Sequence, residues 1–303
     1  MRGDAPSATA RLIALGTFFL GRHPLWRHLV PPLAAEAGGW FLEAGPRPPH
    51  RLLRAARRRG FRPVILAMER LAIPGILLHY ALRKAYLEEI ARRGLAGGCT
   101  QVVVLGAGYD TLALRLSAEL PGVRFVEVDH PATQGVKVGA LERRLRIGPN
   151  LEFVAADLAR DGWADRLRAS PQFSPKADTV FVAEGLLMYL RPEHVDAVFR
   201  FIPEQSGPNS RFAFTFMEPL ADGTIAFQDS SRLVALWLRL RGEPFLWGVR
   251  RDQLASFLGS RGFSLRELAT PDTLRTRYLV GGTPANTPLA RGECICVAAL
   301  AGC

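Results

Sequence analysis

Three acidic residues in the middle of this chain each follow a short apolar segment. Asp129 follows residues 125–128 and Glu184 follows residues 179–183, while Asp157 comes two residues after a similar segment. If these segments are parallel strands of one sheet, their carboxyl ends lie along one edge and the three side chains converge on one crevice. Carboxylates there can accept hydrogen bonds from the hydroxyl groups of a nucleoside. Each acid also has an ordinary interpretation, as the cap of a local turn or, for Glu184, as the partner of a basic neighbour.

A glycine loop precedes the first of these acids. Gly106 and Gly108 come directly after a β-branched apolar run, and Asp110 and Thr111 then occupy the position of a helix cap. Glycine allows a sharp turn and lets a ligand approach the main chain closely. The third glycine of a dinucleotide-binding fingerprint would fall at Thr111, so the loop disfavours a pyrophosphate ligand. A nucleoside without phosphates fits the loop better, and S-adenosylmethionine is the common ligand of this kind. We favour such a binding loop over a purely structural turn.

The elements that must position these residues are strands and helices that alternate from Gln101 onward. This order predicts a doubly wound, mostly parallel α/β sheet with helices on both faces. Strands are expected over 102–105, 125–128, 151–155, 179–183, 211–217, 263–268 and 294–300. An insertion at about 218–248, which contains aromatic residues and arginines, follows the fifth strand, where such a sheet places its substrate wall or lid.

Residues 1–98 are predicted to form a helical N-terminal extension that acts as a lid, and residues 99–303 the α/β domain that binds the ligand. Helices are expected over 9–20, 24–37, 48–59, 63–71 and 74–93, and glycines at 94, 97 and 98 mark the boundary. The apolar stretch from Val64 to Leu82 is interrupted by charged residues and by Pro74, so we expect a buried helical segment rather than a membrane span.

The charge of the chain is strongly basic, because 39 Lys and Arg residues outnumber 28 Asp and Glu residues and give a net charge of +11. This surplus favours anionic partners without choosing among them. A cluster of arginines in the N-terminal extension is either a docking surface or one solvated helix face; its members are Arg54, Arg57, Arg58, Arg59 and Arg62.

The four cysteines lack the spacing of a zinc site or of a disulfide framework. They are Cys99, Cys294, Cys296 and Cys303. We therefore expect no metal and reduced thiols in a cytoplasmic protein. Cys294 and Cys296 share one face of the last strand and are expected to pack in the core.

Four segments carry a resemblance to a known family: LGAGYDTLALRL, FVEVDHP, AADL and AEGLLMYL. They are similar to the glycine loop, the second-strand acid, the adenine-contacting turn and the fourth-strand motif of the leucine carboxyl methyltransferase family. The resemblance extends from about Leu82 to the C-terminus. It implies a Rossmann-like methyltransferase sheet of about seven strands with the last one antiparallel, and S-adenosylmethionine as cofactor.

The same resemblance implies roles for individual residues. Gly106 and Gly108 would approach the methionine part of the cofactor, and Asp129 would bind the ribose hydroxyls. Asp157 and Leu158 would contact adenine, with Glu184 near the amino acid end. Arg83 resembles the family's arginine that grips the cofactor carboxylate, although Lys84 and Glu88 stand where the family usually has threonine and aspartate.

The implied chemistry is methyl transfer to oxygen, most simply to a carboxylate of a small natural product or of a peptide terminus. A carboxylate is already ionised at neutral pH, so it needs positioning and charge neutralisation rather than a base. Tyr189 is a candidate for orienting this acceptor, and Arg239, Arg241 and Arg250 are candidates for a positive wall.

Two alternatives stay open at this point. A phenol or alcohol acceptor would need a general base, for which His79, His130 and His194 are candidates. The second alternative is a basic non-catalytic protein that docks on nucleic acid or on an anionic membrane. No base-flipping motif follows the fourth strand, so a nucleic-acid substrate is not expected.

Overall fold

The computed structural model describes residues 5–46, 54, 58–279 and 287–301. Seven strands form one sheet in the order β3-β2-β1-β4-β5-β7-β6. Their bounds are β1 Gln101–Leu105, β2 Arg124–Asp129, β3 Leu151–Ala155, β4 Thr179–Ala183, β5 Arg211–Met217, β6 Phe263–Ala269 and β7 Glu293–Leu300. The expected Rossmann-like sheet is confirmed.

The central strand β1 lies between β2 and β4 and runs parallel to both. The chain order therefore reverses direction across the sheet at β1, and the carboxyl ends of these strands border a crevice where such folds bind ligands. All five residues of β1 are buried, as expected for a strand covered on both faces.

The last strand, β7, lies between β5 and β6 and is antiparallel to both. This confirms the expected antiparallel last strand. Cys294 and Cys296 are buried in the core on one face of the sheet, as predicted.

Eleven described helices flank the sheet: α1 Ala8–Leu20, α2 Pro32–Ala44, α3 Arg62–Ala72, α4 Ile76–Ala96, α5 Leu112–Glu119, α6 Pro131–Glu142, α7 Trp163–Arg168, α8 Pro192–Gln205, α9 Arg232–Arg241, α10 Leu254–Gly259 and α11 Pro271–Tyr278. Side chains alternate along β1 between two cores. Val102 and Val104 pack with the N-terminal helices, whereas Val103 and Leu105 pack with α8 and α10. The N-terminal helices thus form one layer over the sheet. The division at residue 98 and the lid role of residues 1–98 remain predictions.

One predicted N-terminal helix has wrong bounds. Instead of a helix over 24–37, the chain forms a single 3₁₀ turn at Arg27–Leu29 and then α2, which begins at Pro32. Two consecutive prolines, Pro31 and Pro32, remove the amide donors that a continuous helix would need, and Pro32 suits the first helical position instead. Most of the helix expected over 48–59 falls outside the described residues, as does Arg57 of the arginine cluster.

The expectation that the segment from Val64 to Leu82 is buried is wrong for its first part. The two helices expected over 63–71 and 74–93 form as α3 and α4, but α3 has no buried residue. In the described part of the chain no single helix is long and apolar enough to cross a membrane; α3 and α4 pass that test only as a pair, with a bend of 86° between them.

Candidate active site

A cavity of about 120 Å³ lies at the carboxyl ends of the first four strands. All the residues that the resemblance assigned to the cofactor line this cavity, together with the proposed orienting residue Tyr189: Arg83, Gly106, Gly108, Asp129, Asp157, Leu158, Glu184 and Tyr189. The fold therefore brings together side chains from four strand ends, from α4 and from the turn after β4.

The glycine loop leaves its main chain open to this cavity. Gly106 has a φ of +67°, and a Cβ there would come within 2.6 Å of the Leu186 side chain. Gly108 has a φ of +52° and donates its N–H to the Asp129 carboxylate. Both positions therefore favour glycine on conformational grounds.

The helix after the loop is capped by one of the two residues expected there. Asp110 Oδ2 accepts the Leu112 N–H at 3.0 Å, whereas Thr111, which occupies the N-cap position, makes no side-chain cap bond. The second oxygen of Asp110 binds Lys84 Nζ at 2.8 Å. Burial alone would raise the pKa of Asp110, but Lys84 more than offsets this and lowers it.

Asp129 points back at the loop and keeps capacity for a ligand. Its Oδ1 accepts the His130 N–H at 2.6 Å, and its Oδ2 accepts the Gly108 N–H. A carboxylate has about four acceptor sites, so about two remain. Burial raises the pKa of Asp129, although both backbone bonds oppose the rise.

Asp157 makes the local bond that its ordinary interpretation predicts. Its Oδ1 accepts the Ala159 N–H at 3.0 Å, and its Oδ2 lies 3.4 Å from the Arg160 guanidinium. Leu158 beside it is buried and contributes apolar wall. The adenine contacts of this pair remain a prediction.

Glu184 is the partner of two cations from α4. Arg83 Nη2 lies 2.7 Å from Oε1, and Lys84 Nζ lies 3.0 Å from Oε2. The ordinary interpretation of Glu184, pairing with a basic neighbour, is therefore also correct. Because Lys84 also binds Asp110, two carboxylates and two cations alternate along the floor of the cavity.

Sequence reasoning missed the deeper half of this network. Glu293, at the start of β7, accepts Arg83 Nη1 on both oxygens at 2.8 Å and lies 2.9 Å from His79 Nε2. Arg83, His79 and Glu293 are only 2%, 1% and 1% exposed. Burial would raise the pKa of Glu293, but Arg83 and His79 outweigh it and lower the pKa to about 2. His79 is thus a partner of Glu293 and does not line the cavity.

The roof of the cavity comes from the two distant parts of the chain that were predicted as lid and insertion. Glu243, just after α9, accepts the N–H groups of Ala8 and Thr9 at 2.9 Å each, and also the Thr9 hydroxyl. Thr9 is in turn a hydrogen-bonding partner of Tyr189. Burial raises the pKa of Tyr189 well above its ordinary value, so the phenol stays neutral. Nothing in the local sequence around Glu243 signals this contact.

A wider opening of about 570 Å³ adjoins the cavity and shares Ala159 and Tyr189 with it. We call this opening the vestibule; its other lining residues are Arg191, His194, Arg239, Gly242, Pro244 and Leu246. Of the three arginines proposed as a positive wall, only Arg239 lines it. Arg250 instead pairs with Asp252 at 2.6 Å.

The histidines proposed as bases differ in their surroundings. His130 lines the cavity, and its Nδ1 accepts the Ala132 N–H at 3.3 Å. His194 lines the vestibule, and its Nδ1 is buried without a partner among the described residues. The described residues contain no group of three or more His, Cys, Asp or Glu side chains that could hold a metal ion.

Known proteins resemble this chain in sequence and in fold. The leucine carboxyl methyltransferase family profile matches residues 29–203. A provisionally named S-adenosyl-L-methionine-dependent methyltransferase of Streptomyces avermitilis is 30% identical over 281 residues, or 89% of this chain and 84% of that protein. A similarly named protein of Streptomyces coelicolor is 29% identical over 268 residues, or 87% of this chain and 82% of that protein. A solved DUF574 family protein from Streptomyces avermitilis shares the fold, with a TM-score of 0.59 and 14% identity over 98% of both chains.

Proposed function

Because this chain belongs to the leucine carboxyl methyltransferase family of S-adenosylmethionine-dependent methyltransferases, we propose that it methylates a carboxylate of a small molecule or of a peptide terminus. Family membership does not favour the alternative of a non-catalytic basic protein.

The residues of the cavity fit the cofactor chemically. The free acceptor sites of Asp129 suit two ribose hydroxyls, and the Tyr109 hydroxyl, which lines the cavity, is buried without a partner among the described residues. Asp157 and Leu158 offer one polar and one apolar surface for adenine. Glu184 attracts the cofactor's ammonium group, and Lys84 together with the remaining Nη2 proton of Arg83 attracts its carboxylate.

Bound S-adenosylmethionine supplies an electrophilic methyl group on a sulfonium. The chain's task is to align the acceptor oxygen with that methyl group and to exclude water. Tyr189 suits the alignment, because this residue lines both the cavity and the vestibule, and its neutral hydroxyl can exchange Thr9 for an acceptor oxygen as its hydrogen-bonding partner. The contact of α1 with Glu243 suits the exclusion of water, since it covers the cavity.

The observation that carries the carboxylate proposal is the charge of the vestibule. Among the described residues, the titratable lining residues besides Tyr189 are Arg191, His194 and Arg239, and none of them is an acid. The nearest acidic partner of Arg191 is Glu193, at 3.9 Å. Cationic side chains beside the reaction centre neutralise an anionic acceptor and position it by charge-assisted hydrogen bonds. An ionised carboxylate also removes the need for a base.

The test uses S-adenosylmethionine with a labelled methyl group and a panel of carboxylic acids matched with phenols of similar size. We expect label to appear in methyl esters, which mild base hydrolyses. Product that survives mild base would show an ether and overturn the carboxylate proposal, with His194 then the first base to replace.

A pair of variants tests the vestibule. Arg239→Gln should raise the acceptor KM about tenfold through loss of a charge-assisted bond, while the Kd for S-adenosylmethionine stays unchanged. Arg250→Gln is the matched control, because this arginine lies on the surface and pairs with Asp252. Equal acceptor KM values for the two variants would contradict the role of the vestibule.

A further inference from the structure

Two helices at the surface expose apolar stripes that nothing in the described structure covers. In α3 the stripe is Val64, Met68 and Leu71, and in α9 it is Leu233, Leu236 and Leu240. These six side chains are between 43% and 79% exposed. In each helix the three residues follow one another at spacings of three or four, so they lie on one face.

The two stripes belong to one region of the surface. The N–H of Ser231, the N-cap of α9, donates to the carbonyl of Ala72 at the end of α3 at 2.9 Å. The last apolar residue of the α3 stripe and the first of the α9 stripe therefore adjoin this contact. We call the surface that these six residues form on the two helices the α3–α9 face. Exposed apolar patches of this kind mark interaction sites.

Cations frame the α3–α9 face. Exposed Arg232, Arg239 and Arg241 border the stripe of α9, and α9 contains no acid. Arg70 of α3 is also exposed. The single acid of α3, Glu69, is turned inward to the Leu77 N–H at 3.3 Å, and burial raises its pKa. An apolar stripe bordered by arginines is the pattern of helices that lie in the interface of a bilayer.

We propose that the α3–α9 face docks the enzyme on an anionic lipid bilayer, with the leucine and methionine side chains in the headgroup region and the arginines on acidic headgroups. The charge pattern decides against two other occupants. A second copy would bring one arginine-bordered stripe against another, which places like charges together. Nucleic acid would leave the six apolar side chains without a partner, because phosphate contacts need only the cations.

Docking in this orientation has a consequence for the site. Arg239 of α9 lines the vestibule and also borders the stripe, so the mouth of the site lies beside the α3–α9 face. An amphiphilic acceptor could then pass from the bilayer surface into the vestibule. The docking itself does not depend on the proposed acceptor.

The experiment is flotation of the full chain with vesicles of phosphatidylcholine alone and of phosphatidylcholine mixed with phosphatidylglycerol. We expect flotation with the mixed vesicles only, weakened but not abolished by salt, since screening acts on the charges and not on apolar burial. Absence of flotation with the mixed vesicles overturns the proposal.

Two substitutions and a matched control separate this face from general charge attraction. Met68→Glu and Leu236→Glu should each weaken binding at least about tenfold, the factor that corresponds to losing the burial of one large apolar side chain. Leu265→Glu makes the same charge change on an exposed leucine of β6 and should keep most of the binding. An equal loss in all three variants overturns the proposal, as does a dimer in sedimentation velocity that Leu236→Glu dissociates.

Discussion

Replacing Glu293 by glutamine tests the buried network behind the cofactor cavity. In the wild type this carboxylate satisfies Arg83 through two 2.8 Å contacts and His79 through one at 2.9 Å. Glutamine keeps the shape but loses the charge and turns one acceptor into a donor. Within the described part of the chain, Arg83 then retains Glu184 as its one anionic partner. The variant should be less stable and should bind cofactor more weakly, because Arg83 and Glu184 border the cavity.

The magnitude follows from two lines of reasoning that agree. A buried carboxyl whose pKa is about 2 in the folded protein and near 4 in the unfolded chain contributes about 3 kcal/mol to the free energy of unfolding at neutral pH. Removing one member of a buried ion pair costs about 3 to 5 kcal/mol. We therefore expect a loss of about 3 kcal/mol for Glu293→Gln.

The assay is urea unfolding at neutral pH, with Glu267→Gln as control. Glu267 also accepts bonds from an arginine and a tyrosine, Arg93 and Tyr86, but near the surface, so its replacement should cost less than about 1 kcal/mol. Because the pKa of Glu293 is lowered, its contribution is complete above about pH 4 and is lost as the pH falls through about 2. Equal unfolding midpoints for the two variants, or a difference that persists at low pH, would refute the reasoning.

Three further predictions concern neighbouring groups. Asp129→Asn should weaken binding of S-adenosylmethionine by about 1 to 3 kcal/mol in isothermal titration, and an unchanged Kd would remove the proposed ribose contact. Glu243→Gln should speed cofactor dissociation in stopped-flow traces, since the anchor of α1 over the cavity loses its charge; an unchanged rate would show that α1 does not gate the cavity. Burial raises the pKa of Glu127 to about 7 against the opposing effect of Lys137, so the folded state binds more protons than the unfolded chain between about pH 4 and 7. The free energy of unfolding should therefore fall as the pH rises through that window, and Glu127→Gln should flatten this part of the curve in unfolding measured at a series of pH values.

The parts of the site that could be predicted are those that a local sequence pattern indicates. The glycine loop and the acids at strand ends appear within a few residues of an apolar run, and parallel pairing then brings them to one edge. Asp129, Asp157 and Glu184 therefore converge on one cavity, as expected.

The parts that could not be predicted depend on contacts between distant segments. Glu293 meets Arg83 from 210 positions away, and Glu243 meets Ala8 from 235 positions away. Neither acid has a local pattern that separates it from a surface residue. The surface position of α3 was missed for a different reason. Its apolar content suggested burial, but its spacing places Val64, Met68 and Leu71 on one face and Ile65 and Leu66 elsewhere, where they pack against the N-terminal helices.

The position of β7 between β5 and β6 sets an order for assembly on the ribosome. Domains generally acquire structure from the N-terminal side during synthesis. However, β6 joins the sheet through β7, so it cannot pair there before β7 has paired with β5. Glu293 belongs to that strand, so a chain without β7 lacks the second anionic partner of Arg83. Such a chain contains the complete glycine loop and all three strand-end acids, but it lacks the carboxylate that holds Arg83 at the cavity. We therefore expect tight binding of cofactor only once β7 has joined the sheet.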